Sequence, residues 1–508
     1  MSLAWAGRLA GTLLLGAGCL FSSLLWASPL QAAPNFIVVL ADDLGWTSLS
    51  KPADARRTDS KSDFYQTPHI DALGDLGMRF SNAYAAAPVC SPTRYSIQFG
   101  KTPARLLRTR SDKPNRVDHS QTALPQVLKA IDPSYRTAHF GKWHIDRDPG
   151  ELGYDEHDGI TNNQTGGFVN DNSQWKGSAE DDPKRVDSLT RRAIAFMEAS
   201  VAEGKPFYLQ ISHYAVHSSI EYSEESFAYV GEQEKGDLHK NPGYAAMVRD
   251  LDLAIGTLME AYQELGLAED TYLIFLSDNG GMPVLPMQVN RGRPYKRGLN
   301  SPLLRGKWDL TEGGIRVPFA LVGPDVEPGS QSDTPIVTYD LLPTVAALAG
   351  SGASVPEDID GGSLVGLLSD PTAAVSRPLD ALVFHYPHYN RVGMNEPHSA
   401  IREGDYKLIH YPVSDRSLLF DLSRDLGEGT DLSGQDPERT AQLEEKLARY
   451  LSSVDAERPE QASKWVSVGE EGKVRTKFFQ RYDGDPVERR DETKTDHPEK
   501  KDLKSTTP

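Results

Sequence analysis

The chain has 508 residues, 38% of them hydrophobic and 25% charged, a balance that suits a soluble globular protein of roughly two to four domains. Its formal net charge of −18 at pH 7 argues against nucleic acid or an anionic membrane as a general partner. An anionic substrate would have to be met by a local basic site working against the overall field.

Residues 1–33 read as a secretory signal. Arg8 gives the positive end, Leu9 to Ala27 is apolar and rich in small residues, and Leu30-Gln31-Ala32-Ala33 offers a small-residue exit. The expected location is therefore outside the cytoplasm, periplasmic or secreted, with no stable membrane span after cleavage. Of the two cysteines, Cys19 would leave with the signal. Cys90 is then a lone thiol in an oxidising compartment, where it can neither pair nor stay safely reduced.

Asn35 to Ala41 is a continuous apolar, β-branched run, the pattern of a buried parallel strand, and it empties into Asp42-Asp43-Leu44-Gly45. Two carboxylates directly after such a strand suggest a site for a hard cation such as calcium. A helix opens at Thr67-Pro68. In Cys90-Ser91-Pro92-Thr93-Arg94 the proline suits a first helical turn, and Arg94 lies one turn beyond Cys90, setting a fixed cation beside a reactive group near a helix N-terminus. Gln121 to Ile131 has helical spacing. Tyr135 to Phe140 reads as a strand ending in Gly141-Lys142-Trp143-His144, with Lys142 and His144 on one side of an extended backbone. Residues 155–178 read as a long polar loop containing the sequon Asn163-Gln164-Thr165.

A helix is predicted over Val186 to Val201, then a strand over Phe207 to Ser212 that leads to His213 and His217. A long amphipathic helix, Tyr244 to Leu265, precedes the strand Thr271 to Leu276, which ends in Ser277-Asp278-Asn279-Gly280. Pro302 to Trp308 is a basic loop, Glu312 to Pro318 leads into a strand through Val322, and Asp340 to Gly350 is helical. From Ala381 short strands at 381–386, 406–411 and 417–422 predict a small antiparallel sheet, closed by a helix over Pro437 to Leu451. The implied organisation is a signal at 1–33, a catalytic α/β domain at 34–375, a smaller α+β unit at 376–482 and a charged, disordered tail at 483–508.

Strand after strand thus ends in groups able to bind a metal or an anion: Asp42 and Asp43, Lys142 and His144, His217, Asp278 and Asn279. In an alternating α/β chain these ends converge on one edge of one sheet.

With these motifs the chain resembles the type I, formylglycine-dependent sulfatases of the alkaline phosphatase superfamily over roughly Asn35 to Leu451. The resemblance rests on Cys90-x-Pro92-x-Arg94 with Gly100-Lys101, Gly141-Lys142-Trp143-His144, Ser277-Asp278-Asn279-Gly280, Arg305-Gly306-Lys307-Trp308, Glu312 to Pro318 and Asp340-Leu341-Leu342-Pro343-Thr344. It implies a large mixed, mostly parallel sheet sandwiched by helices, with a smaller C-terminal antiparallel sheet plus helix. It also implies that a maturation enzyme oxidises Cys90 to formylglycine (3-oxoalanine), whose hydrate attacks sulfur. One calcium ion would be held by Asp42, Asp43, Asp278, Asn279 and the residue at Cys90, with Lys142 and Lys307 supplying further positive charge. Arg94 would hold the hydrate and a metal ligand, His217 would protonate the leaving alcohol, and His144 would help reform the aldehyde. His213 is the alternative to His217, because the family's Ala-Pro-His reads here as Ala215-Val216-His217.

The implied substrate is a sulfated poly- or oligosaccharide, or a small sulfate ester. Arg291, Arg293, Lys296, Arg297, His385, His388 and Tyr389 are candidate subsite residues. Two other functions stay open: a phosphonate or phosphate ester hydrolase of the same superfamily, and a non-catalytic sulfoglycan-binding protein.

Overall fold

The apolar run Asn35–Ala41 forms a strand (β1) with all seven residues buried, and the sheet extends from it on both sides. The computed structural model describes residues 33–110, 116–170, 173–179, 181–283, 285, 299–350, 354–390, 396–461 and 482. Among them an eight-stranded sheet comprises β1, Met78–Phe80 (β2), Arg136–Gly141 (β3), Glu156–His157 (β4), Phe207–Ser212 (β5), Thr271–Ser277 (β6), Phe319–Val322 (β7) and Ser330–Ser332 (β8). The spatial order is β8-β2-β7-β6-β1-β5-β3-β4. From β6 to β4 the sheet is parallel, whereas β7 runs antiparallel to β6 and β2. Ala41 stands opposite Ser277, and both Leu40 and Gly141 stand opposite Ser212. Four adjacent strands therefore finish level at one edge.

The labelled helices are Pro68–Leu76 (α1), Cys90–Phe99 (α2), Leu124–Ile131 (α3), Val186–Glu203 (α4), Glu224–Gly231 (α5), Pro242–Glu264 (α6), Leu341–Leu348 (α7) and Pro437–Ser453 (α8). Because side chains alternate across a strand, β1 feeds two cores. Ile37, Val39 and Ala41 pack with Leu73, Phe196 and Leu251 of α1, α4 and α6. Phe36, Val38 and Leu40 pack with Ile97, Leu128 and Val345 of α2, α3 and α7. The result is the expected α/β arrangement, a mostly parallel sheet covered on both faces.

A second, antiparallel sheet runs in the order Leu382–Tyr386 (β9), His398–Glu403 (β10), Tyr406–Tyr411 (β11) and Arg416–Asp421 (β12). One face, through Phe384, Ile409 and Phe420, packs on Tyr84, Ala86 and Ile315. The other packs Val383, Ile401, Leu408 and Leu419 on Leu443 and Leu447 of α8. β10 escapes a sequence reading because its buried positions include His398, Ser399 and Arg402. The predicted loop 155–178 also contains two short strands, β4 and Trp175–Ala179, the latter pairing with Ile220–Ser223. Both are polar segments near sheet edges, where apolar alternation is not required. Among the described residues no helix is long and apolar enough to cross a membrane. The predicted signal, apart from Ala33, and the tail at 483–508 lie outside the described residues.

Where the two sheets meet, charged side chains are sealed from water. Lys407 Nζ donates to Glu312 Oε1 at 2.8 Å and Glu428 Oε1 at 2.9 Å, and Arg316 Nε donates to Glu312 Oε2 at 2.7 Å. The Tyr84 hydroxyl donates to the same Oε2 at 2.7 Å and accepts from Arg316 and Arg402. Removing one partner from such a cluster strands buried charge, at a cost of about 3–5 kcal/mol. Lys407→Met is therefore expected to lower the unfolding free energy by that amount in urea denaturation. A loss below about 1 kcal/mol, the scale of an exposed pair, would contradict this reading.

Candidate active site

The level strand ends deliver the charged residues to one place. Gly141 closes β3 at φ 96°, where a Cβ would lie 2.1 Å from the Ser212 carbonyl oxygen, so only glycine lets the chain turn toward Lys142. Lys142 Nζ then reaches Asp42 Oδ2 at 2.5 Å. Lys307 Nζ sits 2.6 Å from Asp43 Oδ1 and 2.7 Å from its Oδ2. Arg94, one turn into α2, donates to Asp278 Oδ2 from Nε at 2.9 Å and Nη2 at 2.7 Å, and also to the Lys142 carbonyl. Asp278 Oδ1 in turn accepts the Asp43 backbone N–H at 3.2 Å. Four non-glycine residues of this region, Asp43, His144, Arg305 and Trp308, have φ between 57° and 73°, a backbone state that surroundings must impose.

Cys90 is the first residue of α2, with its Sγ 3.7 Å from Lys307 Nζ. Burial pushes the thiol up to about 11, although Lys142 and Lys307 pull the other way. His217 donates from Nδ1 to the Ser218 carbonyl at 2.5 Å and places Nε2 3.8 Å from Asp43 Oδ2. The Phe168 ring meets it edge-on, centroids 5.4 Å apart. Burial, then Lys307 and Lys142, hold His217 well below the usual histidine range, and burial with Lys142 and Arg94 does the same to His144. Against burial, Asp43 raises Lys307 and Asp278 raises Arg94. Burial and the neighbouring Asp42 raise the Asp278 carboxyl.

All the residues expected at the centre are thus brought together: Asp42, Asp43, Cys90, Arg94, Lys142, His144, His217, Asp278, Asn279 and Lys307. His213 stands apart from this group, which among the described residues takes in His217 instead. The subsite expectations divide. Arg291, Arg293, Lys296 and Arg297 lie outside the described residues. His385 is committed internally, Nδ1 with Ser399 Oγ and Nε2 with the Glu457 carbonyl, each at 2.7 Å. It has no nitrogen left for a sugar. His388 uses Nε2 on Thr109 Oγ1 at 2.7 Å, and its buried Nδ1 has no partner among the described residues; Tyr389 is half-buried. Phe168, which meets His217, and Lys184, which reaches the Gly166 carbonyl of the same loop, carry no short-range signal, since both come from polar, irregular sequence.

The donor set fits a hard divalent cation. Asp42 Oδ1 and Asn279 Oδ1 are buried without a hydrogen-bond partner among the described residues, and one donor atom each from Asp42, Asp43, Cys90 and His217 lie within 4.8 Å of one another. Carboxylate and amide oxygens are the ligands such ions take. Three carboxylates here face three fixed cations, so a bound divalent ion would leave the pocket positive and ready for an oxyanion.

A family model described as Sulfatase matches residues 34–351, more than half of the chain. The chain belongs to the sulfatase family. A second model, N-sulphoglucosamine sulphohydrolase, C-terminal, matches residues 306–457. Human N-acetylgalactosamine-6-sulfatase is 29% identical to this sulfatase over 84% of the chain and 86% of its own length. An ulvan-active sulfatase of Formosa agariphila is 27% identical, over 84% and 82% respectively. The crystal structure of Ps i-CgsB shares the fold at TM-score 0.68 and 24% identity, covering 91% of this chain and 99% of that one.

Two buried histidines make acid stability testable. Burial lowers His213 and His385 to about 4 each, outweighing Asp182 and the Glu457 carbonyl respectively. An unfolded chain protonates both near pH 6.5, so stability should fall as pH drops from about 6.5 to 4, by on the order of 3 kcal/mol per histidine. Urea denaturation across that window should show a shallower decline for His385→Gln. An unchanged slope would remove His385 from the account.

Proposed function

We propose that this sulfatase removes sulfate from a sulfated poly- or oligosaccharide outside the cytoplasm, and that Cys90 works as formylglycine made by a maturation enzyme. The observation that carries the reading is the setting of Cys90, on the first turn of α2, beside Lys307 and within the ring of Asp42, Asp43 and His217. The hydrated aldehyde would supply an oxygen nucleophile, and a bound calcium ion would acidify it and neutralise a sulfate oxygen.

The chain's own groups do the rest. Asp42, Asp43, Asp278 and Asn279 would offer oxygens to the ion, with position 90 completing the set. Lys142 and Lys307 hold the sulfate by fixed charge. Arg94 keeps Asp278 and the Lys142 carbonyl in place. With its Nδ1 proton fixed on Ser218, His217 presents Nε2 to the leaving oxygen. An incoming anion offsets Lys142 and Lys307, so the ring gains a proton that it can pass to the alcohol. His144, whose buried Nδ1 has no partner among the described residues, takes a proton from position 90. The ulvan-active relative and the signal read in residues 1–33 favour an extracellular carbohydrate over a small ester.

Mature protein should hydrolyse 4-nitrophenyl sulfate faster than a phosphate diester or a phosphonate; sulfate as the poorest of the three would overturn the reading. Cys90→Ala should lower sulfate turnover by roughly a thousandfold or more, the scale of losing a covalent nucleophile, while melting temperature and calcium binding are largely kept. His217→Asn should cost about 10²–10⁴-fold on a saccharide sulfate and less on the nitrophenyl ester, whose leaving group needs little protonation.

A further inference from the structure

Lys184 is a buried cation that the proposed chemistry leaves unused. It sits just before α4, and its backbone and that of Arg185 are both left-handed, φ 53° and 57°, again a state that surroundings must impose. The side chain is 3% exposed. Among the described residues its one hydrogen bond runs from Nζ to the Gly166 carbonyl at 3.4 Å, although an ammonium has three donors to place. A lysine whose task was to hold the fold would have shorter and more numerous bonds.

Lys184 is among the charges that act on His217, after Lys307 and Lys142. The loop whose Gly166 carbonyl receives Lys184 Nζ also carries Phe168, whose ring meets His217, and this sets Lys184 on the His217 flank. Gly166, whose carbonyl it meets, lies against the Tyr214 ring, and Phe168 meets His217. Burial lowers Lys184 to about 8; Glu221 and Asp42 oppose this, while Lys176 and Lys142 add to it. Glu221 is shared with Lys176 at 3.1 Å, so it does not neutralise Lys184 alone.

We propose that Lys184 binds a second anionic group, sulfate or carboxylate, on the saccharide that carries the scissile sulfate, and so selects multiply charged substrates. This rests on the sulfated-carbohydrate reading above. A hydrogen bond from a buried ammonium to such an anion is worth roughly 10- to 100-fold in affinity.

The test is competition against 4-nitrophenyl sulfate hydrolysis by the mature enzyme. The probes are N-acetylgalactosamine 6-sulfate, its 4,6-disulfate, and a uronate-bearing disaccharide with the same 6-sulfate. In wild-type enzyme at least one doubly charged probe should inhibit about 10- to 100-fold more tightly than the monosulfate, and which one does so separates sulfate from carboxylate. Lys184→Met should bring that ratio close to one, and Lys184→Arg should retain a preference. Lys184→Met should also melt no lower than wild type, because it removes a poorly paired buried charge. A wild-type ratio near one for both probes, a ratio unchanged in Lys184→Met, or a lowered melting temperature would overturn the assignment. Mature wild-type protein that hydrolyses no sulfate ester would overturn the sulfatase mechanism as well, and that control tells the two failures apart.

Discussion

Three ion pairs sealed at one sheet edge set the terms for their surroundings: Lys142 on Asp42, Lys307 on Asp43 and Arg94 on Asp278. Taking six charges out of water costs more than simple pairing returns, so stability alone does not explain them. What they achieve is placement. Each carboxylate is held by a cation, and beside them Asp42 Oδ1 and Asn279 Oδ1 have no hydrogen-bond partner among the described residues. The left-handed backbones of Asp43, His144, Arg305 and Trp308 are strain that this arrangement imposes.

Topology is what makes such a concentration of charge feasible. Parallel strands β6, β1, β5 and β3 send their carboxyl ends to the same edge, and their covered faces supply the burial that pays for it. The basic loop arrives by another route, preceding the antiparallel β7. The Lys307 backbone N–H donates to the Gly281 carbonyl and that of Trp308 to the Pro88 carbonyl, both at 2.9 Å, so the loop is pinned between the end of β6 and the approach to Cys90. Behind it Glu312 and Arg316 tie the same segment to Lys407 and Glu428 of the second half. The second sheet is thereby coupled to the position of Lys307, although none of its four strands supplies a residue of the central ring.

Much of this was legible in the residues. β1, β5 and β6 are apolar runs buried on both faces, and Asp42, Asp278 and His217 follow them closely, so their convergence follows from the sequence pattern. Lys307 could be placed only through resemblance, because nothing local announces that β7 reverses direction. His385 looked like a sugar contact and is an internal strut, a difference made by Ser399 and Glu457, distant in sequence. β10 was hidden because its buried positions carry polar side chains with partners elsewhere. Lys184 was hidden because burial of a lysine in an irregular turn is a tertiary fact.

The central claim is that Cys90 does not act as a thiol. It is tested most directly by the mass of the Cys90-containing peptide from catalytically active protein. The peptide is expected to be lighter than the encoded one, since sulfur and two hydrogens are exchanged for one oxygen. Fully active protein whose peptide keeps the thiol mass, or gains oxygen as a sulfenic, sulfinic or sulfonic acid would, would contradict it.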